Sequence, residues 1–376
     1  MFSEKRNLSK NEKNPVVIDN GTVFSKIGFA GEDQPRAIIQ TLPRSPIKIK
    51  PSDLQETLIE KKPPTKTIRE KGFLEGVSPM KGGVIKDWNA MERFWEYCFY
   101  KMLKINPSEH TVILTETALN TKENKNKIME IMFEVFNVPA VYIGMQAVLS
   151  LYATGRMTGC VINSGESVTD IVPICENYVN DQAIQKIELA GQDITKFLQK
   201  LMRQAGYPLI TEQEKRVLID IKENECYIAA DFEEEITIAK DISKIQKEHL
   251  MPDGNKIIVG IERFTAPECI FNPSIMGKEL PPLHEALYEA IIQSDIHYRK
   301  ELFNNIILSG GNTLFSGFKE RISMELRKLI PESSNIKIIA PEDRMITTWY
   351  GGSLLAALPS FKNLTIKKQQ YYELTG

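Results

Sequence analysis

The sequence has no long apolar run and no excess of charge of one sign. Its apolar runs fall short of the ~20 residues that a membrane-spanning helix needs, so the sequence predicts no such helix. The 47 basic and 49 acidic residues leave a net charge of −2. This balance excludes a global electrostatic attraction to nucleic acid or to acidic lipid.

Cysteine and histidine are scarce. The five cysteines include no Cys-x-x-Cys spacing and the four histidines are scattered, so neither residue type predicts a metal site. An odd number of cysteines without a framework is typical of reduced, mostly buried thiols in a cytosolic or nuclear protein. Residues 1–14 lack an apolar core, which excludes a secretory signal and predicts a mobile tail.

What is present is typical of a soluble globular protein, with 376 residues, of which 42% are hydrophobic and 26% are charged. This length predicts two lobes rather than one simple core. Strand-like and helix-like segments alternate, which predicts an α/β protein. We expect strands at residues 15–18, 111–115 and 305–308, helices at 88–102, 123–136 and 193–205, and one further apolar stretch at 141–151.

Two short segments, at residues 17–22 and 161–166, share one pattern. Each has an apolar strand, then Asp19 or Asn163, and then a glycine two residues later, Gly21 or Gly165. A tight turn with glycine exposes backbone N–H groups, and several such groups pointing one way bind anions. One such turn is common in ordinary hairpins. The pair, some 140 residues apart, predicts two related lobes that bind one phosphate chain.

Several polar side chains near these segments have alternative interpretations. Asp19, at a strand end, suits hydrated Mg²⁺ beside a phosphate chain. Lys26 either reaches a phosphate as a point charge or is a surface lysine. Thr22 and Ser164 either donate hydrogen bonds to phosphate or only form hydrogen bonds within the turn. Gln146 either orders an attacking water or bonds neighbouring backbone, because its amide in an apolar stretch needs partners.

Two other segments carry composition signals. The strand at 305–308 runs into Ser309-Gly310-Gly311-Asn312 and then a predicted helix, a junction that suits close approach of a ligand to the backbone. Residues 43–71 contain five prolines and eight basic against four acidic residues. Since proline fixes φ and removes a donor, this segment is either a projecting, partly flexible element or a solvated loop.

Eight runs in the chain closely resemble actin and the actin-related proteins, over nearly the whole length. They lie at residues 18–21, 26–36, 131–134, 146–156, 220–223, 308–313, 337–341 and 349–353. Several runs in the family's order are far more specific than any lone motif. The chain is therefore identified as a divergent member of the actin superfamily.

The resemblance implies an actin-like α/β fold with two lobes and a central nucleotide cleft, as in actin, Hsp70 and the sugar kinases. The first lobe would comprise residues 15–152 and 345–376, with a small subdomain at about 41–78. The second would comprise 153–344, with a small subdomain at about 192–270. The implied cofactor is ATP or ADP with Mg²⁺.

The same resemblance implies the site residues. Asp19 would face the Mg²⁺ through water, with Asn163 as a second candidate, and Gln146 would help to order the hydrolytic water. The nucleotide would contact Gly21, Thr22, Lys26, Ser164, Gly165, Glu166, Val168, Gly191, Lys222, Glu223, Gly310, Gly311, Phe315 and Met345.

The chain departs from the family pattern at the site. Asn163 replaces the second-loop aspartate, and Asp170 replaces a histidine that assists the water. Val23 replaces a glycine of the first loop, Met345 a lysine at the adenine, and Ile219 an arginine on the adenosine side. Because electrostatic stabilisation of the transition state is the main source of catalysis in phosphoryl transfer, these changes predict slow or absent hydrolysis.

The chain also departs from the family pattern at the surfaces that actin uses for self-assembly. Segment 43–71 shows no likeness to the filament-contact loop, Gly82 replaces a family histidine, and the chain ends at 372–376 without actin's basic, Cys-Phe tail. Apolar residues of the family's end groove remain, and either dock a partner helix or pack in the core. They are Tyr152, Leu355, Leu358 and Phe361.

These features favour an actin-related, nucleotide-binding structural subunit of a cytoskeletal, axonemal, motor-associated or chromatin assembly. The expected partners are other protein subunits, among them actin or actin-related proteins, with neither direct nucleic-acid nor membrane contact. The expected location is the cytoplasm and cytoskeleton, with the axoneme or nucleus as alternatives. A polymerising actin variant with ATP turnover is the second class. A small-molecule kinase ranks last because no motif for a substrate base is evident, and a chaperone ATPase ranks with it because we expect no room for an additional substrate-binding domain.

Overall fold

The computed structural model describes residues 13–42, 68–69, 76–241, 245–251, 253–332 and 334–375. Most of the Pro- and Lys-rich segment 43–71, and residues 1–12 of the predicted tail, lie outside the described residues. Within the described part, no helix combines the length and the apolar character that crossing a membrane requires.

Strands and helices alternate along the described chain, which confirms the α/β class. The strands are β1 Val16–Asp19, β2 Phe24–Phe29, β3 Ala37–Gln40, β4 Ile68–Arg69, β5 Met80–Lys81, β6 Val84–Ile85, β7 Val112–Glu116, β8 Ala140–Met145, β9 Gly159–Ser164, β10 Thr169–Cys175, β11 Tyr178–Val179, β12 Gln185–Ile187, β13 Lys247–Leu250, β14 Lys256–Val259, β15 Ile306–Ser309, β16 Ile338–Ile339 and β17 Ile366–Lys367. The α-helices are Trp88–Tyr97, Lys122–Glu130, Gln146–Ala153, Gly191–Gln204, Glu212–Asn224, Phe232–Ile238, Glu262–Glu268, Leu283–Ile292, Ile296–Asn304, Phe318–Leu329, Thr347–Ala357 and Lys368–Thr375.

The chain forms two compact units, and the first runs to Met157 and resumes at Met345. Its main sheet has the strand order β17-β8-β7-β1-β2-β3-β4. Strands β1, β7 and β8 are parallel neighbours, whereas β2 is antiparallel to both β1 and β3. The carboxyl ends of β1, β7 and β8 therefore lie at one edge of this sheet.

The second unit, Thr158–Arg344, repeats this plan around β9. Its sheet has the order β11-β10-β9-β15-β16, with β12 beside β10. Strand β9 pairs antiparallel with β10 and parallel with β15, as β1 pairs with β2 and β7. The carboxyl ends of β9 and β15 share one edge. The predicted lobe boundaries and inserted subdomains stay predictions.

Each unit has its own hydrophobic core. In the first unit the largest fully buried side chains include Trp95, Phe94 and Trp349. The helix Thr347–Ala357 crosses the helix Gln146–Ala153 in close contact. A Cβ on Gly351 would lie only 1.8 Å from the carbonyl oxygen of Leu149, so this contact requires glycine. In the second unit the core lies between the sheet and the helices that cover it.

Several predicted elements differ in detail. The helix that begins at Trp88, capped by Asp87, continues beyond Tyr97 as a π-helix at Cys98–Leu103. The predicted helix 123–136 likewise becomes a π-helix at Ile131–Val135. Over a single turn, the spacing of apolar residues does not distinguish the two helix types, since both place them on one side.

Other corrections concern boundaries. The helix predicted from Asp193 begins at Gly191, and the Asp193 carboxylate accepts a hydrogen bond from the backbone N–H of Ala190 over 3.1 Å. The stretch 141–151 contains two elements, the end of β8 and the start of the helix Gln146–Ala153. After Gly310 the chain makes a 3₁₀ turn, and an α-helix begins only at Phe318.

Candidate functional site

The turn between β1 and β2 requires a glycine. A Cβ on Gly21 would lie 2.3 Å from the carbonyl oxygen of Phe24, so a larger residue would have to displace backbone. The hydroxyl of Thr41 donates to the carbonyl oxygen of Gly21 over 2.6 Å. The backbone N–H of Thr41 also donates to the carbonyl oxygen of Val23 over 2.8 Å, so residues after β3 hold the turn that contains Thr22.

Asp19 ends β1 and is 2% exposed. Its Oδ2 accepts a hydrogen bond from Nζ of Lys26, its cross-strand partner, over 3.1 Å. Its Oδ1 accepts from Oγ1 of Thr115 over 2.8 Å and from Nε2 of Gln146 over 3.1 Å. These three donors, one of them charged, offset the cost of burying a carboxylate.

Gln146 is the first residue of its helix and directly follows β8. Besides Asp19, its Nε2 donates to the carbonyl oxygen of Asn20 over 3.1 Å. This contact matches the alternative in which the Gln146 amide bonds neighbouring backbone. The contact fixes the side chain beside the first turn, while the ordering of a water by Gln146 stays a prediction.

The structure adds Thr115 and Asn20 to this cluster. Thr115 lies near the end of β7 and accepts a hydrogen bond from the backbone N–H of Asn20 over 3.0 Å. The side-chain oxygen of Asn20 accepts from Nε1 of Trp95 over 3.1 Å. Asn20 also lines a cavity of about 10 Å³ beside Glu116, with room for roughly one water. Thr115 could have been predicted as a site residue from its position near the end of a strand parallel to β1.

The second hairpin is held by a chain of neutral donors. Nδ2 of Asn312 donates to Oγ of Ser164 over 3.1 Å, and Ser164 shares a hydrogen bond of 2.8 Å with the hydroxyl of Thr169. The Thr169 hydroxyl in turn donates to the carbonyl oxygen of Leu189 over 2.8 Å. Asn312 was not predicted as a positioning residue, although it follows the two glycines that come directly after β15.

Glycine is also required where β15 meets this hairpin. Gly310 has a φ of +89°, and a Cβ there would lie 2.3 Å from the carbonyl oxygen of Ser164. Nδ2 of Asn312 donates to the carbonyl oxygen of Gly165 over 2.5 Å. Within the hairpin, the N–H of Gly165 donates to the carbonyl oxygen of Val168 over 3.1 Å. The predicted residues of this loop are therefore brought together.

A buried lysine and a glutamate flank the second turn. Nζ of Lys222 donates to Oε2 of Glu166 over 3.2 Å and to the carbonyl oxygen of Gly191 over 3.3 Å. Lys222 is 4% exposed, whereas the side chain of Glu166 is 28% exposed, so only the lysine end of this pair is shielded from water. Burial raises the pKa of the neighbouring Glu223, and the Lys222 ammonium opposes this rise.

Three residues that were predicted to contact the nucleotide lie outside the hydrogen-bonded clusters described above. Gly311 begins the 3₁₀ turn Gly311–Leu314. Phe315 is buried in the hydrophobic core of the second unit. Met345 is half-buried and belongs to the first unit. Their nucleotide contacts stay predictions.

The family model described as Actin matches residues 10–375. The chain belongs to the actin family. This finding confirms the family resemblance and the actin-like fold class predicted from the eight sequence runs. Members of the actin family generally bind nucleotide with a divalent metal, and they are typically soluble cytoplasmic proteins.

The first hairpin of this actin-family chain fits such a ligand. Asp19 provides carboxylate oxygens, which suit a hydrated Mg²⁺, and Lys26 provides the point charge that suits a phosphate. Gly21 keeps the turn free of a side chain where backbone approaches backbone. In the second hairpin Asn163 provides an oxygen without a charge, so the fit to a metal there is weaker.

Proposed function

We propose that the protein is an actin-related structural subunit that binds ATP or ADP with Mg²⁺ and hydrolyses ATP slowly or not at all. It would act in a cytoskeletal, axonemal, motor-associated or chromatin assembly, in the cytoplasm, cytoskeleton, axoneme or nucleus. The observation that carries the nucleotide-binding part is the buried cluster of Asp19, Lys26 and Gln146 at the end of β1.

The cluster supports binding because its charges are already ordered. Lys26 and Asp19 are 13% and 3% exposed at their side chains and lie 3.1 Å apart. A nucleotide phosphate would give Lys26 a second anionic partner, and a hydrated metal would share the Asp19 carboxylate. A preorganised site of this kind loses little conformational entropy when the ligand binds.

Slow hydrolysis is supported by the second hairpin. In the family pattern the positions of Asn163 and Asp170 carry an aspartate and a histidine. Here the first has lost its charge and the second has gained an acid, which would repel the developing negative charge of the transferring phosphoryl group. Binding depends less on these two positions, since backbone groups and Lys26 remain.

Isothermal titration of the purified full chain with ATP, with Mg²⁺ present, tests the binding part. We expect saturable binding, and we expect Lys26→Met to weaken it at least about tenfold through loss of a charge-assisted contact. Lys300→Met, at an exposed position on the helix Ile296–Asn304, is the matched control for loss of one positive charge that belongs to neither hairpin. Absence of ATP affinity in the unmodified protein would overturn this part.

Steady-state phosphate release tests the hydrolysis part. We expect turnover far below that of conventional actin measured side by side. Comparable turnover would instead support the second candidate, a divergent polymerising actin. Sedimentation with Mg²⁺ and salt separates these candidates further, because a robust pellet would favour a filament former over a subunit of a larger assembly.

Partners are proposed at the apolar end groove. Phe361 and Leu355 are 1% and 8% exposed and belong to the core of the first unit, whereas Tyr152 and Leu358 are half-buried against it. A docking helix would therefore contact Tyr152 and Leu358 first. Mass spectrometry of proteins that co-purify with the full chain, and with a Tyr152→Asp variant, would test the groove.

A further inference from the structure

A row of polar residues crosses the sheet of the second unit. Lys186 on β12 is the direct partner of Asp170 on β10, which is the direct partner of Asn163 on β9. Asn163 is in turn the register partner of Ser309 on β15. Directly paired residues place their side chains on the same face of a sheet. The four side chains therefore form one line on one face, ending at the carboxyl edge of β9 and β15.

The row contains one acid, and its place is unusual. Asp170 is 1% exposed, while Asn163 is half-buried. Burial of a carboxylate is costly unless a cation or several donors compensate it, and Lys186 is the cation that faces Asp170 in register. The carboxylate that Asn163 lacks is thus found on one of its two direct cross-strand partners.

We propose that Asp170 supplies the carboxylate of the second unit that faces the hydrated Mg²⁺ of a bound nucleotide, in place of the residue at position 163. This inference rests on the proposed nucleotide-binding function and names the residue responsible for the metal. For the metal, the Asn163 and Asp170 substitutions together move one acid to the next strand, while the repulsion between Asp170 and the transferring phosphoryl group would still slow hydrolysis.

The chemistry of Mg²⁺ allows such a move. Directly paired residues have Cβ atoms about 4.5–5.5 Å apart. Mg²⁺ keeps several of its waters in proteins and contacts many carboxylates only through them. A water-mediated contact tolerates a change in carboxylate position better than a direct bond, and carboxylates that act through bound waters still influence metal affinity strongly.

Lys186 is the competing partner for Asp170. Opposite charges at directly paired positions attract each other, so Asp170 could serve only this pair. The two roles make different predictions. A purely structural pair would make Lys186→Met and Asp170→Asn lower the melting temperature alike, with no change in metal affinity. A metal-facing Asp170 would make Asp170→Asn weaken Mg²⁺ binding and Lys186→Met strengthen it.

The test is equilibrium binding of a fluorescent, non-hydrolysable ATP analogue to the full chain, with free Mg²⁺ varied by buffering. We expect Asp170→Asn to raise the half-saturating Mg²⁺ concentration about tenfold or more, as loss of such a carboxylate typically does. Binding measured with EDTA should stay unchanged. The exchange variant N163D/D170N, which moves the acid back to β9, should restore the Mg²⁺ response. Glu188→Gln, at an exposed position after β12, is the charge-matched control.

A variant that retains Asp170 covers the case in which Asp170→Asn does not fold. Asn163→Asp adds a second acid to the row, and we expect it to lower the half-saturating Mg²⁺ concentration. An unchanged Mg²⁺ response in folded D170N, or in N163D, overturns the inference while leaving the proposed function intact. Failure of the unmodified protein to bind the analogue with Mg²⁺ present overturns both.

Discussion

The hairpins of the two units share a plan but differ in where they place charge. The first contains a buried carboxylate, Asp19, that accepts three side-chain hydrogen bonds, one from the ammonium of Lys26. The second is held by hydroxyl, amide and backbone groups around Ser164. Duplicated geometry therefore does not imply duplicated electrostatics, and the first hairpin is the stronger candidate for a metal and a phosphate.

The second unit has its deeply buried ion pair elsewhere. Arg321 donates to both carboxylate oxygens of Glu268 over 3.0 and 2.8 Å, and to Glu325 over 2.7 Å. Glu268 and Arg321 are 2% and 7% exposed. The pair joins the helices Glu262–Glu268 and Phe318–Leu329. In this unit, the ion pair that is buried on both sides thus joins two helices, whereas the pair beside the second turn, Lys222 and Glu166, is buried only at the lysine.

The largest expected effect sharpens this contrast. Arg321→Met leaves Glu268 buried without its cation, which should lower the free energy of unfolding by about 3–5 kcal/mol. Lys328→Met removes an exposed partner of Glu325 and should cost no more than about 1 kcal/mol. Urea denaturation of both variants checks the prediction. Similar losses in the two variants would mean that the Glu268 pair is not shielded from solvent.

The next effect concerns the backbone of the second hairpin. Gly310→Ala combines a positive φ with a clash against the carbonyl oxygen of Ser164, and should cost about 2–5 kcal/mol. Gly311→Ala is the matched control, because a Cβ there meets no atom within 4 Å among the described residues. Thermal melts of the two variants provide the measurement. A stable Gly310→Ala protein would contradict the close approach of β15 to the hairpin.

A smaller effect compares the two hairpins directly. Thr115→Val removes the donor to Asp19 and the acceptor for the N–H of Asn20, so it should cost about 1–3 kcal/mol. Ser164→Ala breaks only neutral contacts and should cost about 1 kcal/mol. Denaturant midpoints of the two variants decide the order. Equal losses would remove the electrostatic distinction between the hairpins.

The smallest effect should not distinguish the units. Burial lowers the pKa of His110 in the first unit and of His284 in the second, below the ordinary value of 6.5. The folded state therefore favours the neutral rings, and the unfolded state binds more protons as the pH falls. The stability from both groups is complete above pH 6.5 and is lost as the pH falls through the folded pKa values.

Melting temperatures between about pH 7.5 and about pH 5 check this pH dependence in the unmodified protein and in His110→Phe and His284→Phe. Each variant should lose less stability on acidification than the unmodified protein. In His284→Phe the new ring would retain the stacking of His284 on Phe271, which has a centroid distance of 6.2 Å. Unchanged pH profiles in both variants would assign the acid sensitivity to carboxylates instead.

Much of the fold could be predicted from residue patterns. The alternation of strands and helices predicted the α/β class, and the Asp-x-Gly and Asn-x-Gly turns predicted both hairpins. The π-helices after Tyr97 and Glu130, by contrast, were not predicted, because an apolar stripe is compatible with either helix type over one turn. The start of the helix at Gly191 was missed because its N-terminus is stabilised by a side chain two residues inside the helix.

For the site, the sequence alone determined that the first turn has two charged residues, Asp19 and Lys26. It also determined that the corresponding residue of the second turn is an uncharged amide, Asn163. It also determined the family, because several short runs occur in one order. Only the tertiary structure decided that Thr115 and Gln146 meet at Asp19, and that Asp170 lies directly beside Asn163. The physical reason is that strand pairing and tertiary contacts bring together residues far apart in the chain, such as Asp19 and Gln146 at 127 positions, and no local pattern specifies such register.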